Sequence, residues 1–176
     1  DLFNDVSFEE FTQNKFLDQD LYFYNHPKKK IFKKHKIKTI YLSHFHYWDG
    51  YEHYKLAKKF GFTERKKGPL AGNILSYDNI DEKLCEIHIW LKMLKFGFWR
   101  PTDQSCYHIW NGRISRDEGV SNVLKKQYEF PIDYLDEFLE FTSIKKSTFF
   151  KELEKWRNLD IWVKRNGKWR LRREVS

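Results

Sequence analysis

The chain has 176 residues, 40% of them hydrophobic and 19% aromatic, which is enough for a packed core and too apolar for an intrinsically disordered segment. Its net charge is +8, and its two cysteines, Cys85 and Cys106, form no CxxC motif, which excludes a disulfide framework and makes a reducing cytoplasm the expected setting. No apolar run approaches the length of a membrane span, and the amino terminus shows no signal-peptide pattern.

In chain order, Ser7-Phe8-Glu9-Glu10 is a capping box that predicts a short helix carrying Phe8 and Phe11. Pro27 suits the first turn of a second helix, with Ile31 and Phe32 facing inward. Ile37 to Leu42 is a short apolar, β-branched run that reads as a buried strand of a parallel sheet. Asp49 and Glu52 then open a helix that stops at Gly61. A buried parallel strand needs neighbours, and no other is evident before it. Together with the absence of an initiator methionine, this leads us to expect the C-terminal part of a larger cytoplasmic enzyme.

From residue 79 the pattern turns helical. Ile80, Leu84, Ile87, Leu91 and Leu94 recur at helical spacing up to a stop at Gly97. Ser115 to Glu118 is a second capping box, and Pro131 starts a helix with Ile132, Leu135, Phe138 and Leu139 inward. Ser147 is expected to cap a last helix that buries Phe149, Leu153 and Trp156. Asn166-Gly167, between two apolar triplets, predicts a hairpin. The fold class expected is therefore mostly α with a small α/β remnant: one strand of a parallel sheet, then a helical domain ending in a short β-hairpin. The domain division expected is 1–62 and 63–176.

Three groups of residues are candidates for chemistry. His44 and His46, with His53, would share a strand face as two legs of a metal site, although histidines at strand ends more often only hydrogen-bond. The segment from Pro131 to Arg172 has the outline of a basic winged helix, which makes nucleic-acid binding the alternative reading. Eleven lysines and arginines against three acids between Lys145 and Arg173 support it, but a solvated lysine face explains them equally. The third group is the stretch from Lys95 to Asp103 together with Asn111 to Glu118, in which arginines and carboxylates alternate with loop residues. There Arg113 and Arg116, near a helix amino end, would hold an anion, and Asp103 and Asp117 would orient them or handle a proton.

The string Asp81-Glu82-Lys83, Ile87-His88, Trp90-Leu91-Lys92, Lys95-Phe96-Gly97-Phe98, Arg100, Asp103, Asn111-Gly112-Arg113 and Ser115-Arg116-Asp117-Glu118 resembles the N-acetyl sugar amidotransferase family. These are enzymes of surface-polysaccharide, pseudaminic and legionaminic acid biosynthesis built on a PP-loop ATP pyrophosphatase domain. Ile40-Tyr41-Leu42, Trp48-Asp49, Ala57-Lys58-Lys59, Gly61-Phe62, Arg157-Asn158 and Ile161-Trp162 also resemble it. The family's cysteine pairs and Ser-Gly-Gly-Lys-Asp-Ser phosphate loop are not in this sequence, so the resemblance is to the family's C-terminal half, with residues 1–62 as the end of the nucleotide domain.

The resemblance implies amidation of a sugar N-acetyl group to acetamidino. ATP with Mg, bound mainly by the other half, would activate the carbonyl oxygen, and a glutaminase subunit would supply ammonia. It implies substrate-binding roles for Arg100, Arg113, Arg116 and Asp117, and catalytic roles for Asp103 and Asp49, on a nucleotide-linked or acidic N-acetylated sugar. No metal ligand is expected, the histidines are given no family role, and neither a membrane nor nucleic acid is the expected partner.

Overall fold

The computed structural model describes residues 28–176 throughout and, before them, residues 2–3, 6–7, 10, 12 and 18–23. It forms two compact units, Asp1–Asp49 and Gly50–Ser176. In the first, β1 (Leu2–Phe3) pairs antiparallel with β2 (Val6–Ser7), Leu2 opposite Ser7, and two short helices follow, α1 (Asp18–Leu21) and α2 (Lys29–Lys34). Phe8, Glu9 and Phe11, on which the first expected helix rests, lie outside the described residues, as does Pro27. Phe32 is half-buried, but Ile31 is exposed rather than inward.

The strand expected from Ile37 to Leu42 does not form. The stretch runs as irregular backbone into a single 3₁₀ turn at Leu42–His44, and Ile40 is 67% exposed. Its hydrogen bonds explain why. The Ile37 amide donates to Phe32 O and the His46 amide to Leu42 O, so both bonds are local, as happens when no neighbouring strand offers a ladder. His44 ends that turn and His46 follows it, which removes the shared strand face that the metal reading needs. Among the described residues no three His, Cys, Asp or Glu side chains are grouped to hold a metal ion.

The second unit is helical and ends in a hairpin. Helix α3 (Gly50–Lys59) starts directly after Asp49 and closes with Phe62 N–H on Ala57 O and Gly61 N–H on Lys58 O, the paired bonds of a Schellman ending. Helix α4 (Cys85–Phe96) begins six residues later than the periodicity from residue 79 predicts, and Ile80 is exposed. Gly97 stops α4 as expected. It has φ 78°, and a Cβ there would meet Ile161 Cγ2 at 2.6 Å. Helix α5 (Arg100–Trp110), which carries Cys106, follows at once, and then α6 (Arg116–Lys126), opened by the predicted capping box with Ser115 and Glu118 each bonding the other's backbone amide.

After Pro131 comes a 3₁₀ turn at Ile132–Tyr134 and then α7 (Leu135–Thr142), with Leu135 fully buried and Ile132 exposed. Helix α8 (Lys146–Trp156) has Lys145, not Ser147, at its cap position, and no side chain caps it. Phe149 and Leu153 are buried, but Trp156 is 64% exposed, contrary to expectation, because it ends the helix past the core. Strands β3 (Trp162–Arg165) and β4 (Lys168–Leu171) pair across Asn166-Gly167, both at positive φ as a two-residue turn of this kind demands. The fold is thus mostly helical with a small antiparallel hairpin at its end.

The core is built from Ile87, Met93 and Leu94 of α4, Trp99, Leu135, Phe149, Leu153, and Trp162 and Leu171 of the hairpin. Its two tryptophans are satisfied as well as buried, since Trp99 Nε1 donates to Gln127 O at 2.9 Å and Trp162 Nε1 to Leu94 O at 2.9 Å. The first bond joins the start of α5 to the end of α6, and the second joins the hairpin to α4. The ordered platform leaves the buried face of α5, lined with polar residues, to be covered by the loop between α3 and α4.

Candidate functional site

Helix α5 buries Pro101, Gln104, Ser105 and His108, a helical stripe made almost wholly of polar groups. Burying such groups is costly unless each is hydrogen-bonded, so the stripe needs a polar cover. The loop from residue 60 to 84 supplies it for Gln104. Gln104 Nε2 donates to Asn73 Oδ1 at 2.8 Å and to Asp78 Oδ2 at 2.7 Å, while its Oε1 accepts from the Ile74 amide at 2.8 Å. Asn73 Nδ2 and Asn79 Nδ2 donate to the two oxygens of Glu86, each at 3.1 Å. Glu86 is fully buried, and burial raises its carboxyl above the ordinary carboxylate range against the opposing pull of Asn79, Arg100 and Asn73.

The loop can dock this closely because of Gly72. A Cβ there would lie 2.1 Å from the ring of Trp99, and its φ of 71° is one that side-chain-bearing residues rarely adopt. The Gly72 amide donates to Glu129 at 2.8 Å, which fixes the turn to the end of α6. At its other end the loop is latched to α3. Tyr54 Oη (2.8 Å), Lys58 Nζ (3.0 Å) and Ser76 Oγ all donate to Glu64, and these bonds, led by Ser76, hold its carboxyl down at about 2. The rings of Tyr54 and Tyr77 stack at 3.9 Å and 10°.

Between the loop and α5 this leaves a cavity of about 220 Å³ lined by Gly50, Leu75, Tyr77, Asp78, Arg100, Asp103, Gln104 and Tyr107. That is below the span of about 300–1,000 Å³ usual for drug-sized ligands and suits a single small polar ring. Arg100 Nη1 pairs with Asp78 Oδ2 at 3.3 Å, and Asp103 pairs with Lys92 Nζ at 2.8 Å. Arg113 stacks its guanidinium on Tyr51 at 4.8 Å and on Tyr107 at 5.5 Å, at the edge of the cavity. Two lining residues hold a buried polar atom without a hydrogen-bond partner, Tyr77 Oη and Arg100 Nε. Each such atom costs about 1–3 kcal/mol unless something completes it.

Of the six residues singled out from sequence, Arg100 and Asp103 line this cavity and Arg113 borders it. Arg100 and Asp103 do so from a helix, not from the loop expected between Lys95 and Asp103, and Arg113 from the turn after α5. Arg116 and Asp117 stand exposed on the first turn of α6, Arg116 donating to Ser176 O at 2.6 Å, and neither lines the cavity. Asp49 is buried as the last residue of the first unit and is not counted among the residues of this site. Tyr77, Asp78, Gln104 and Tyr107 escaped the sequence reading. The signal that reveals them is the polar recurrence at 101, 104, 105 and 108, facing a run of hydrogen-bonding residues from Ser76 to Asn79.

Residues 71–176, which carry every lining residue except Gly50, match the family model described as "LPS biosynthesis protein WbpG-like, C-terminal domain". The chain belongs to this family. The matched WbpG-like stretch begins one residue before Gly72 and spans the covering loop from residue 71 on, α4 to α8 and the hairpin. No curated protein matches the chain. No described helix is long and apolar enough to cross a membrane.

Proposed function

We propose that this chain is the sugar-binding side of a cytoplasmic ATP-dependent amidotransferase of lipopolysaccharide biosynthesis, one that converts a sugar N-acetyl group to acetamidino. The observation that carries the reading is the cavity beside α5. It is the size of one sugar ring, and two tyrosine rings line it for the ring's apolar face. It offers carboxylates to accept from hydroxyls and a guanidinium to donate to oxygens.

On this reading Arg100 and Tyr77 bind the substrate, Arg113 steers its anionic portion, and Asp103, paired with Lys92, takes a proton from the incoming ammonia. In the balanced reaction the ammonia nitrogen bonds to the acetamido carbon, the carbon–oxygen bond breaks with the oxygen leaving on its activating group, and the one proton released as the amidinium forms goes to Asp103. Mg-ATP does not fit this cavity, which is too small for a nucleotide and adjoins no cluster of metal ligands among the described residues. We place ATP, its Mg and the glutaminase that delivers ammonia with the rest of the enzyme, and route no step through them here.

Two basic residues of the winged-helix outline, Arg157 and Arg170, are engaged within the fold. Arg157 lies between the rings of Trp162 (5.0 Å) and Trp169 (4.7 Å) and pairs with Glu154, and Arg170 covers Tyr128 at 4.5 Å. The test is chemical. In cells carrying Arg100→Ala in the chromosomal gene, mass spectrometry of the surface polysaccharide should find acetamido where the parent has acetamidino. Unchanged acetamidino content would rule the reading out.

A further inference from the structure

We infer that a second cavity, at the outer edge of β4, binds the phosphate group of a small phosphorylated molecule through Lys168, Arg170 and the Trp169 backbone amide. This cavity, of about 300 Å³, lies between the hairpin, α4 and the end of α6. It shares no lining residue with the cavity beside α5, so it stands or falls independently of the sugar reading. Its lining holds three cations, Arg157, Lys168 and Arg170, and no carboxylate. Arg157 is committed to Glu154, whereas neither Lys168 nor Arg170 pairs with a carboxylate among the described residues. Both can be reached from solvent, Lys168 being exposed and Arg170 half-buried.

Strand geometry brings the three donors together. The Arg172 amide donates to Ile161 O, and the register sets Arg170 opposite Val163 and Trp169 opposite Lys164. Bonded and non-bonded pairs alternate along an antiparallel ladder, so the amides of Trp169 and Leu171 turn to the outer edge of β4. There Leu171 N–H is spent on Tyr128 Oη at 3.1 Å, while Trp169 N–H, two residues along the same edge, has no strand to bond. Lys168 and Arg170 leave one face of β4 about 7 Å apart, a gap that their long side chains can close around one anion. Arg170 lays the face of its guanidinium on Tyr128 at 4.5 Å, which leaves its in-plane N–H groups for an oxygen. Two carboxylates border the lining. Glu154 accepts from Arg157 and from Trp169 Nε1 at 2.9 Å, and Glu174 from Tyr128 Oη at 2.7 Å. With Lys164 over the Trp169 ring at 5.4 Å, four cations stand against these two acids, and the balance favours an anion. A phosphate has an oxygen for each of the three donors, where a carboxylate has only two oxygens. The cavity has room for more than the phosphate, and the half-buried Trp90 ring lines it, so the ligand carries an apolar or ring portion as well.

The site is tested by nitrogen-15 NMR titration of the full chain, at constant ionic strength, with phenyl phosphate, inorganic phosphate, benzoate, phenol and a short DNA duplex. Phenyl phosphate should bind most tightly and shift the Trp169 amide. Its affinity should fall roughly tenfold in Lys168→Gln and in Arg170→Gln. Lys67→Gln, which removes the same charge from an exposed position on the loop before α4, should stay within about twofold. Lys168 is exposed, so its variant decides the matter should Arg170→Gln disturb the hairpin. Equal losses in all three variants would mean attraction by bulk charge and overturn the site. Benzoate or phenol binding as tightly as phenyl phosphate overturns it too, as does a chain that binds neither phosphate. A duplex that binds more tightly than phenyl phosphate, and through Lys168 and Arg170, would assign this edge to a nucleic-acid backbone instead.

Discussion

Glu86 illustrates what a single residue does in this fold. It is a carboxylate with no exposed surface, held by two asparagine amides and by no salt bridge. Because burial raises its folded-state value above the unfolded one, the folded protein binds a proton that the unfolded chain releases over a range of pH. Its contribution is therefore most favourable below the ordinary carboxylate range and is lost as pH rises through the elevated folded value. Glu86→Gln removes this dependence. It should be less stable than the wild type at low pH, where an amide donor faces Asn73 or Asn79, and the gap should narrow as pH rises. Urea unfolding of both proteins across pH measures this, and a gap that stays constant or widens with pH would contradict it. The residue was not visible from sequence as a buried group, since a glutamate in a helix's first turn reads as an ordinary solvent-facing residue stabilised by the helix dipole.

At the scale of elements, local signals carried the boundaries and tertiary partners decided the rest. The Ser115–Glu118 box, the Gly97 stop and the Asn166-Gly167 turn are each satisfied by bonds within a few residues, and all three are where the sequence puts them. The run from Ile37 to Leu42 has the right residue types for a strand, but strand formation depends on a neighbour, and propensity alone did not supply one. Helix α5 failed the other way. Its buried stripe is polar, so no hydrophobic period announces it, and the stripe becomes interpretable only once the covering loop is known. The docking of that loop on α5 turns on Gly72. Gly72→Ala drives a methyl group into the ring of fully buried Trp99 and strains a left-handed residue. A loss of about 2–4 kcal/mol in urea unfolding is expected. A loss below about 1 kcal/mol would mean that the loop is not packed on Trp99 as described.

Over the whole molecule, two features compete to define function. One is the polar cavity beside α5. The other is a larger apolar groove of about 400 Å³ along α4, α7 and α8, lined by Leu91, Phe138, Ile144, Phe149 and Trp156. The groove is lined mainly by apolar side chains, with Lys95, Thr148 and Glu152 as its polar residues, whereas half of the cavity's lining is polar or charged: Asp78, Arg100, Asp103 and Gln104, with two tyrosine rings. Family membership places the chain in lipopolysaccharide biosynthesis and does not by itself choose between them. Sequence reading reached Arg100, Asp103 and Arg113 through their motif, but not the loop residues that make a cavity of them, because Tyr77 and Asp78 are brought to α5 by folding and not by spacing. The most direct measurement is a nitrogen-15 NMR titration of the whole chain with N-acetylhexosamines. The account predicts amide shifts concentrated at residues 75–79 and 100–107, with Arg113 at their edge. Shifts confined to the apolar groove or to the hairpin, or no shifts at all, would contradict it.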